Sequence, residues 1–210
     1  MITIIDYGVG NLFSLTSSLK SLGYECKVSG KKEDVLNADH IILPGVGAFG
    51  DAKQKLADTG LIPYIKEAVE NGTPIIGICL GMQMLFDKSY EYGEHDGLGL
   101  IPGIVKDMKE DLTKSGYDYK CPEMGWNALK FYNPTDLFKY INEGDYVYFV
   151  HSYYAVNCTE NLIATTDYGI TVTAAVQKDN VYGTQFHPEK SGEVGLKILK
   201  AFCETNGGKR

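Results

Sequence analysis

The run Thr73-Pro74-Ile75-Ile76-Gly77-Ile78-Cys79-Leu80-Gly81-Met82-Gln83 constrains this chain more than any other stretch. Residues 74–78 are apolar and of a length that suits a buried strand, and residues 80–86 can continue as a helix. Glycines two positions either side of Cys79 fit a strand that reverses sharply into a helix. Such a turn holds its central residue in a strained conformation and brings other backbone so close that only hydrogen fits at the flanking positions. The elbow projects the Cys79 sulfur and aims the first N–H groups of the helix at whatever that sulfur attacks. A buried structural cysteine is the alternative that the residue type alone allows.

The flanking sequence supplies the rest of an α/β frame. Residues 2–5 and 40–43 read as buried strands and 24–28 as another, while Leu12, Leu15, Leu19 and Leu22 recur at helical spacing. Asn11 is placed to cap that helix and Gly23 to stop it. Leu61, Ile62, Ile65, Ala68 and Val69 mark one face of a second helix, closed by Asn71-Gly72 before the central strand. Strands alternating with helices imply a mostly parallel sheet covered on both faces. From about residue 98 to 185 the runs become short and rich in β-formers, so antiparallel strands are expected beside the parallel core. Residues 194–202 give a closing amphipathic helix and 206–210 a polar tail, and 1–210 is expected to be a single domain.

Composition excludes several classes. Apolar residues make up 44 % of the chain, enough for a full core, and no apolar run is long enough to span a membrane. A net charge of −7 argues against nucleic acid as a partner. The five cysteines are scattered and contain no Cys-x-x-Cys, which fits a reducing compartment rather than a disulfide framework or a zinc site. Residues 1–6 show no basic flank or cleavage signal, so a cytoplasmic location is expected, with no metal and no cofactor.

Gln185-Phe186-His187-Pro188-Glu189-Lys190-Ser191 is the second informative stretch. Pro188 pushes His187 into extended geometry at a strand end, where residues two apart face the same side. Glu189 beside His187 can then fix the imidazole tautomer and stabilise the imidazolium, completing a Cys79–His187–Glu189 relay suited to acyl transfer. Pro44-Gly45-Val46-Gly47-Ala48-Phe49-Gly50 contains Gly-x-Gly-x-x-Gly, but the acids about twenty residues on, Glu67 and Glu70, fall on an expected helix rather than a strand end. Its better use is flexible backbone at Val46 and Gly47 that offers an N–H to an oxyanion, opposite the N–H of Leu80.

These blocks, with Asp6-Tyr7-Gly8-Val9-Gly10-Asn11, Met124-Gly125-Trp126-Asn127 and Tyr148-Phe149-Val150-His151-Ser152-Tyr153, resemble the class I (triad) glutamine amidotransferases. Together they also resemble the glutaminase subunits of imidazole glycerol phosphate synthases, in histidine biosynthesis. The resemblance implies a three-layer α/β fold, Cys79 as nucleophile, His187 as general base and acid, and Glu189 as orienting carboxylate. It also implies a glutamine site at Gly47 and Gln83 joined by the backbone of His151, Ser152 and Tyr153. Asn11, Met124, Trp126, Tyr148 and Lys190 resemble positions that face a cyclase subunit, a (β/α)8 barrel that receives ammonia. Two departures, Glu123 before the Met and Ala128 after the Asn where His and Gln are commoner, fall in the partner-facing stretch. A paralogue feeding ammonia to another synthase, such as one that amidates a sugar, fits the same triad motifs. A non-catalytic scaffold with a structural Cys79 is the reading from a different class.

Overall fold

The computed structural model describes residues 1–116 and 119–206, so the tail expected at 206–210 lies, beyond Asn206, outside the described residues. In chain order the elements are β1 (Ile2–Ile5), α1 (Leu12–Ser21), β2 (Cys26–Ser29), α2 (Lys32–Leu36), β3 (His40–Leu43), α3 (Phe49–Asp58), α4 (Ile62–Glu70), β4 (Ile75–Ile78) and α5 (Leu80–Met84). There follow β5 (Lys88–Ser89), β6 (His95–Asp96), β7 (Ile104–Asp107), α6 (Met108–Ser115), β8 (Glu123–Ala128), β9 (Lys130–Phe131), β10 (Tyr146–His151) and β11 (Tyr153–Val156). The chain ends in β12 (Leu162–Asp167), β13 (Thr171–Lys178), β14 (Val181–Thr184) and α7 (Gly192–Cys203).

Among the described residues, one eight-stranded sheet runs in the order β2-β1-β3-β4-β14-β13-β12-β9. Its first five strands pair in parallel, and β13, β12 and β9 are added antiparallel beyond β14. Every residue of β1, β4 and β14 is buried, as strands covered on both faces require. Strand alternation sorts the apolar side chains into two cores. Ile41, Leu43 and Ile75 pack with Leu56 of α3 and Ile65 of α4, whereas Ile42, Ile76 and Ile78 pack with Leu15 of α1 and Ile198 and Phe202 of α7.

The start of α1 forms as its sequence dictates: Asn11 Oδ1 accepts from the Ser14 N–H, satisfying a donor that the helix cannot. Strand β2 begins at Cys26 rather than residue 24, because Gly23, at φ 82°, turns the chain out of the helix only just before it. The helix α3 was not legible in its glycine-rich lead-in. It begins at Phe49, where a side chain forty-two residues later, Glu91, accepts the first free N–H at 2.7 Å.

The second half differs from a simple extension of the sheet. Strands β8 and β10 form their own antiparallel ribbon, and β11, β7, β5 and β6 a four-stranded sheet. Val147 and Phe149 of the ribbon close one core, while Val105 and Ala155 of the small sheet join the other. The last strand in sequence, β14, inserts parallel next to β4, with Thr184 opposite Ile78. The C-terminal ends of β3, β4 and β14 therefore lie side by side, at the edge where parallel α/β sheets place ligands.

Candidate active site

The elbow after β4 is a strained turn. Cys79 has φ 54° and ψ −112°, outside the regions open to most L-residues, and it caps α5. The glycines are required by contact. A Cβ on Gly81 would stand 1.9 Å from the Leu43 carbonyl oxygen, and one on Gly77 2.5 Å from the Gly81 oxygen. Gly45 meets the same turn from outside, since a Cβ there would lie 2.6 Å from the Gly81 nitrogen. Backbone bonds lock the strained residue: the Cys79 N–H donates to the Thr184 carbonyl at 2.7 Å, and its own carbonyl accepts from Gln83 at 3.1 Å.

One strand away, the chain leaves β14 through Gln185 and Phe186 and reaches His187, which is extended at φ −97° and ψ 97°. The expectation that Glu189 continues the same extended strand is corrected here: Pro188 to Lys190 form one turn of 3-10 helix. Proline fits the first position of that turn because it has no N–H to satisfy. The turn still brings the two side chains together, with His187 Nδ1 2.8 Å from Glu189 Oε1 and both side chains at most 2 % exposed. The other ring nitrogen is left for an interaction with Cys79. Burial alone would lower the His187 pKa, but the bonds and charges of Cys79 and Glu189 outweigh it and raise it to about 9.

Cys79 and His187 open onto a cavity of about 360 Å³. Its wall includes Val46, Gly47, Leu80, Gln83, His151, Ser152 and Tyr153, so the residues expected around a substrate converge on it. Gly47 sits at φ 90°, and nothing lies within 4 Å of where its Cβ would be; backbone conformation, not space, favours glycine there. The loop is anchored from below by Tyr7, whose hydroxyl donates to the Pro44 carbonyl at 2.6 Å. Gln83 Nε2 donates to the Tyr153 carbonyl and to Gln185 Oε1, each at 3.0 Å. Both amide protons are thereby committed, which leaves the Gln83 oxygen as the polar atom that remains for a ligand.

Several wall residues gave no signal in the sequence. Glu91 and Tyr92 come from the β5–β6 hairpin, and Glu91 puts a carboxylate on the cavity wall. Burial pushes the Glu91 carboxyl upward, against the Phe49 N–H bond and the nearby His95. Gln185 Nε2 stands 3.7 Å from Cys79 Sγ, a contact that only the β4–β14 pairing creates.

The residues expected to face a partner separate into two groups. Met124 and Trp126 project from β8 and are 63 % and 50 % exposed; Trp126 packs edge-on against Tyr148 at 6.0 Å, and Lys190 lies 6.0 Å over the Tyr148 ring. Lys190 also borders the cavity, so this exposed face adjoins the site. Asn11 is half-buried and occupied with its cap. Glu123 does not belong to the exposed face: it alternates inward on β8 and is fully buried beside His151.

A thiol, an imidazole held by a carboxylate, and a nearby glycine-containing loop can together add to a carbonyl and stabilise the resulting oxyanion. Among the described residues, no cluster of His, Cys, Asp and Glu could hold a metal ion, and no helix is long and apolar enough to cross a membrane.

Residues 3–205 match the family described as glutamine amidotransferase class-I. An imidazole glycerol phosphate synthase subunit HisH from Geobacillus sp. (strain WCH70) is 50 % identical over 210 residues, covering 100 % of this chain and 99 % of the relative. The protein of the same name from Listeria monocytogenes is 47 % identical over 205 residues, 97 % of this chain and 95 % of the relative. The fold is similar to that in the structure of PurLQS from Thermotoga maritima, with a TM-score of 0.74 at 21 % identity over 96 % of each chain.

Proposed function

The chain belongs to the class I glutamine amidotransferases, and from that premise we propose that it is the glutaminase subunit of an imidazole glycerol phosphate synthase. It hydrolyses glutamine to glutamate and ammonia. The Cys79 thiolate attacks the side-chain carboxamide carbon, and the oxyanion forms against backbone N–H groups of Leu80 and of the Val46–Gly47 loop. His187, protonated and held by Glu189, gives its proton to the departing ammonia and leaves a γ-glutamyl thioester on Cys79. His187 then accepts a proton from water, whose oxygen attacks the thioester and releases glutamate.

The polar wall suits this substrate. The Gln83 oxygen and the Glu91 carboxylate are acceptors for an α-ammonium group, and 360 Å³ accommodates a small amino acid. Ammonia leaves past Lys190 and Tyr148 toward the face carrying Met124 and Trp126, against which a cyclase subunit with a (β/α)8 barrel docks. That subunit adds the ammonia to a phosphoribosyl intermediate and forms imidazole glycerol phosphate and an aminoimidazole ribotide.

The single observation that carries the reading is the Cys79–His187–Glu189 line at the ends of two adjacent strands, in a chain half identical to synthase subunits along its whole length. The test measures glutamine hydrolysis with and without a cyclase subunit and its phosphoribosyl substrate. Hydrolysis that rises with both supports the assignment, and Cys79→Ala should abolish it while ammonia-dependent synthesis by the complex persists. Substantial residual hydrolysis by Cys79→Ala would remove Cys79 from the mechanism.

A further inference from the structure

His151 on the cavity wall belongs to a second imidazole–carboxylate pair, which the thioester chemistry does not use. Glu123 and His151 are cross-strand neighbours at the end of the β8–β10 ribbon, and their side chains are 0 % and 2 % exposed. His151 Nδ1 lies 2.9 Å from the Tyr153 carbonyl oxygen. A carbonyl only accepts, so Nδ1 carries the proton and donates it there. Nε2 then faces Glu123 Oε2 at 3.2 Å, while Glu123 Oε1 accepts from Asn127 Nδ2 at 2.5 Å. The 3.2 Å contact is off the axis of a well-formed hydrogen bond, and neither atom has another partner. Both are acceptors once Nδ1 carries the ring proton, so the pair attracts only across one further proton shared between Nε2 and Oε2.

What the pair holds is the Tyr153 carbonyl, and that oxygen has a second donor, Gln83 Nε2. The other proton of the same amide is fixed by Gln185, whose own amide reaches the Cys79 sulfur. Removing the Glu123 contact frees the His151 ring to turn, and with it the carbonyl that orients Gln83. Met124 alternates with Glu123 along β8 and is exposed on the opposite face, so the pair sits directly beneath a surface available to a docking protein.

We propose that Glu123 and His151 are positioning residues for glutamine: they hold the Tyr153 carbonyl so that the Gln83 oxygen meets the substrate. This rests on the glutaminase reading. The experiment uses the full chain, alkylates Cys79 with iodoacetamide, follows the Cys79 peptide by mass spectrometry, and finds the glutamine concentration that halves the rate. Glu123→Ala and His151→Gln should each raise that concentration about tenfold, the scale of leaving one buried polar group without its counterpart. The double variant should raise it no further, because both act through one contact. Glu123→Gln should restore protection to within about twofold, since its amide can donate to a neutral Nε2 and its oxygen still accept from Asn127. Should Glu123→Ala fail to fold, His151→Gln and Glu123→Gln still carry the comparison. Wild-type protection in His151→Gln, additive shifts, or a Glu123→Gln shift of about ten would overturn the proposal while leaving the glutaminase standing. A wild-type chain that glutamine does not protect would overturn both.

Discussion

At the scale of single residues, the site places its nucleophile where the backbone is least comfortable. Cys79 at φ 54° and ψ −112° carries strain on the order of 1–3 kcal/mol that the surrounding hydrogen bonds sustain. Glycine tolerates that conformation and alanine does not, so Cys79→Gly should be more stable than Cys79→Ala by roughly that amount, although both are inactive. Denaturant unfolding of the two variants checks this; equal midpoints would mean that the turn relaxes without the sulfur. The His187 imidazole makes a separate contribution to stability. It binds its proton more tightly in the fold, at about 9, than at the ordinary 6.5. Its stabilisation is therefore complete below pH 6.5 and lost as the pH climbs through 9. Wild-type stability should fall across that window relative to His187→Asn, and parallel pH profiles would count against the Cys79–His187–Glu189 coupling. A third expectation concerns Glu91: Glu91→Gln should raise KM for glutamine more than it lowers kcat, as steady-state kinetics would reveal, because the proposed function sets it against the substrate's amino end rather than the reacting carbon.

Elements turn the same logic into packing. The helix α5 can lie against the end of β3 only because Gly81 has no side chain, and Gly81→Ala should cost about 3 kcal/mol or more, with loss of folded protein at moderate denaturant. Gly47→Ala meets no atom within 4 Å, so its expected effect is different: a stability loss of about 1 kcal/mol from the positive φ, with a much larger fall in glutamine turnover. If Gly47→Ala leaves turnover intact, the loop does not need its present conformation. Gly77 and Gly81 were legible because a steric requirement leaves its mark at a fixed distance from the residue it serves. The parallel strands and the capped α1 were legible too, since short buried runs and an Asn before an amphipathic stretch are local signals. Glu91, Gln185 and the inward turn of Glu123 were not. Each owes its place to strand register or to a hairpin from another part of the chain, and register leaves no trace within a single segment. The Gly-x-Gly-x-x-Gly run shows the opposite hazard, a local pattern whose first two glycines, Gly45 and Gly47, serve a loop above the elbow while Gly50 lies in α3.

Across the whole molecule, the exposed Met124 and Trp126 lie on the ribbon whose buried side carries Glu123 and the last residue of β10, His151. On the proposed function, a docking subunit would bear on a two-stranded element that stands apart from the eight-stranded sheet. Trp126→Ala should weaken the complex by about 1–3 kcal/mol, read as a rise in Kd, as expected for an aromatic anchor. An unchanged Kd would move the interface elsewhere. The strand order also sets the timing of assembly. Cys79 and His187 are 108 positions apart in the chain (79 to 187) but sit at the ends of neighbouring strands. While a ribosome is still making the middle of the protein, β4 has no neighbour on its β14 side, and the thiol has no imidazole. The nascent chain thus carries a reactive residue without the group that arms it, and an open strand edge that only the last stretch of translation can close.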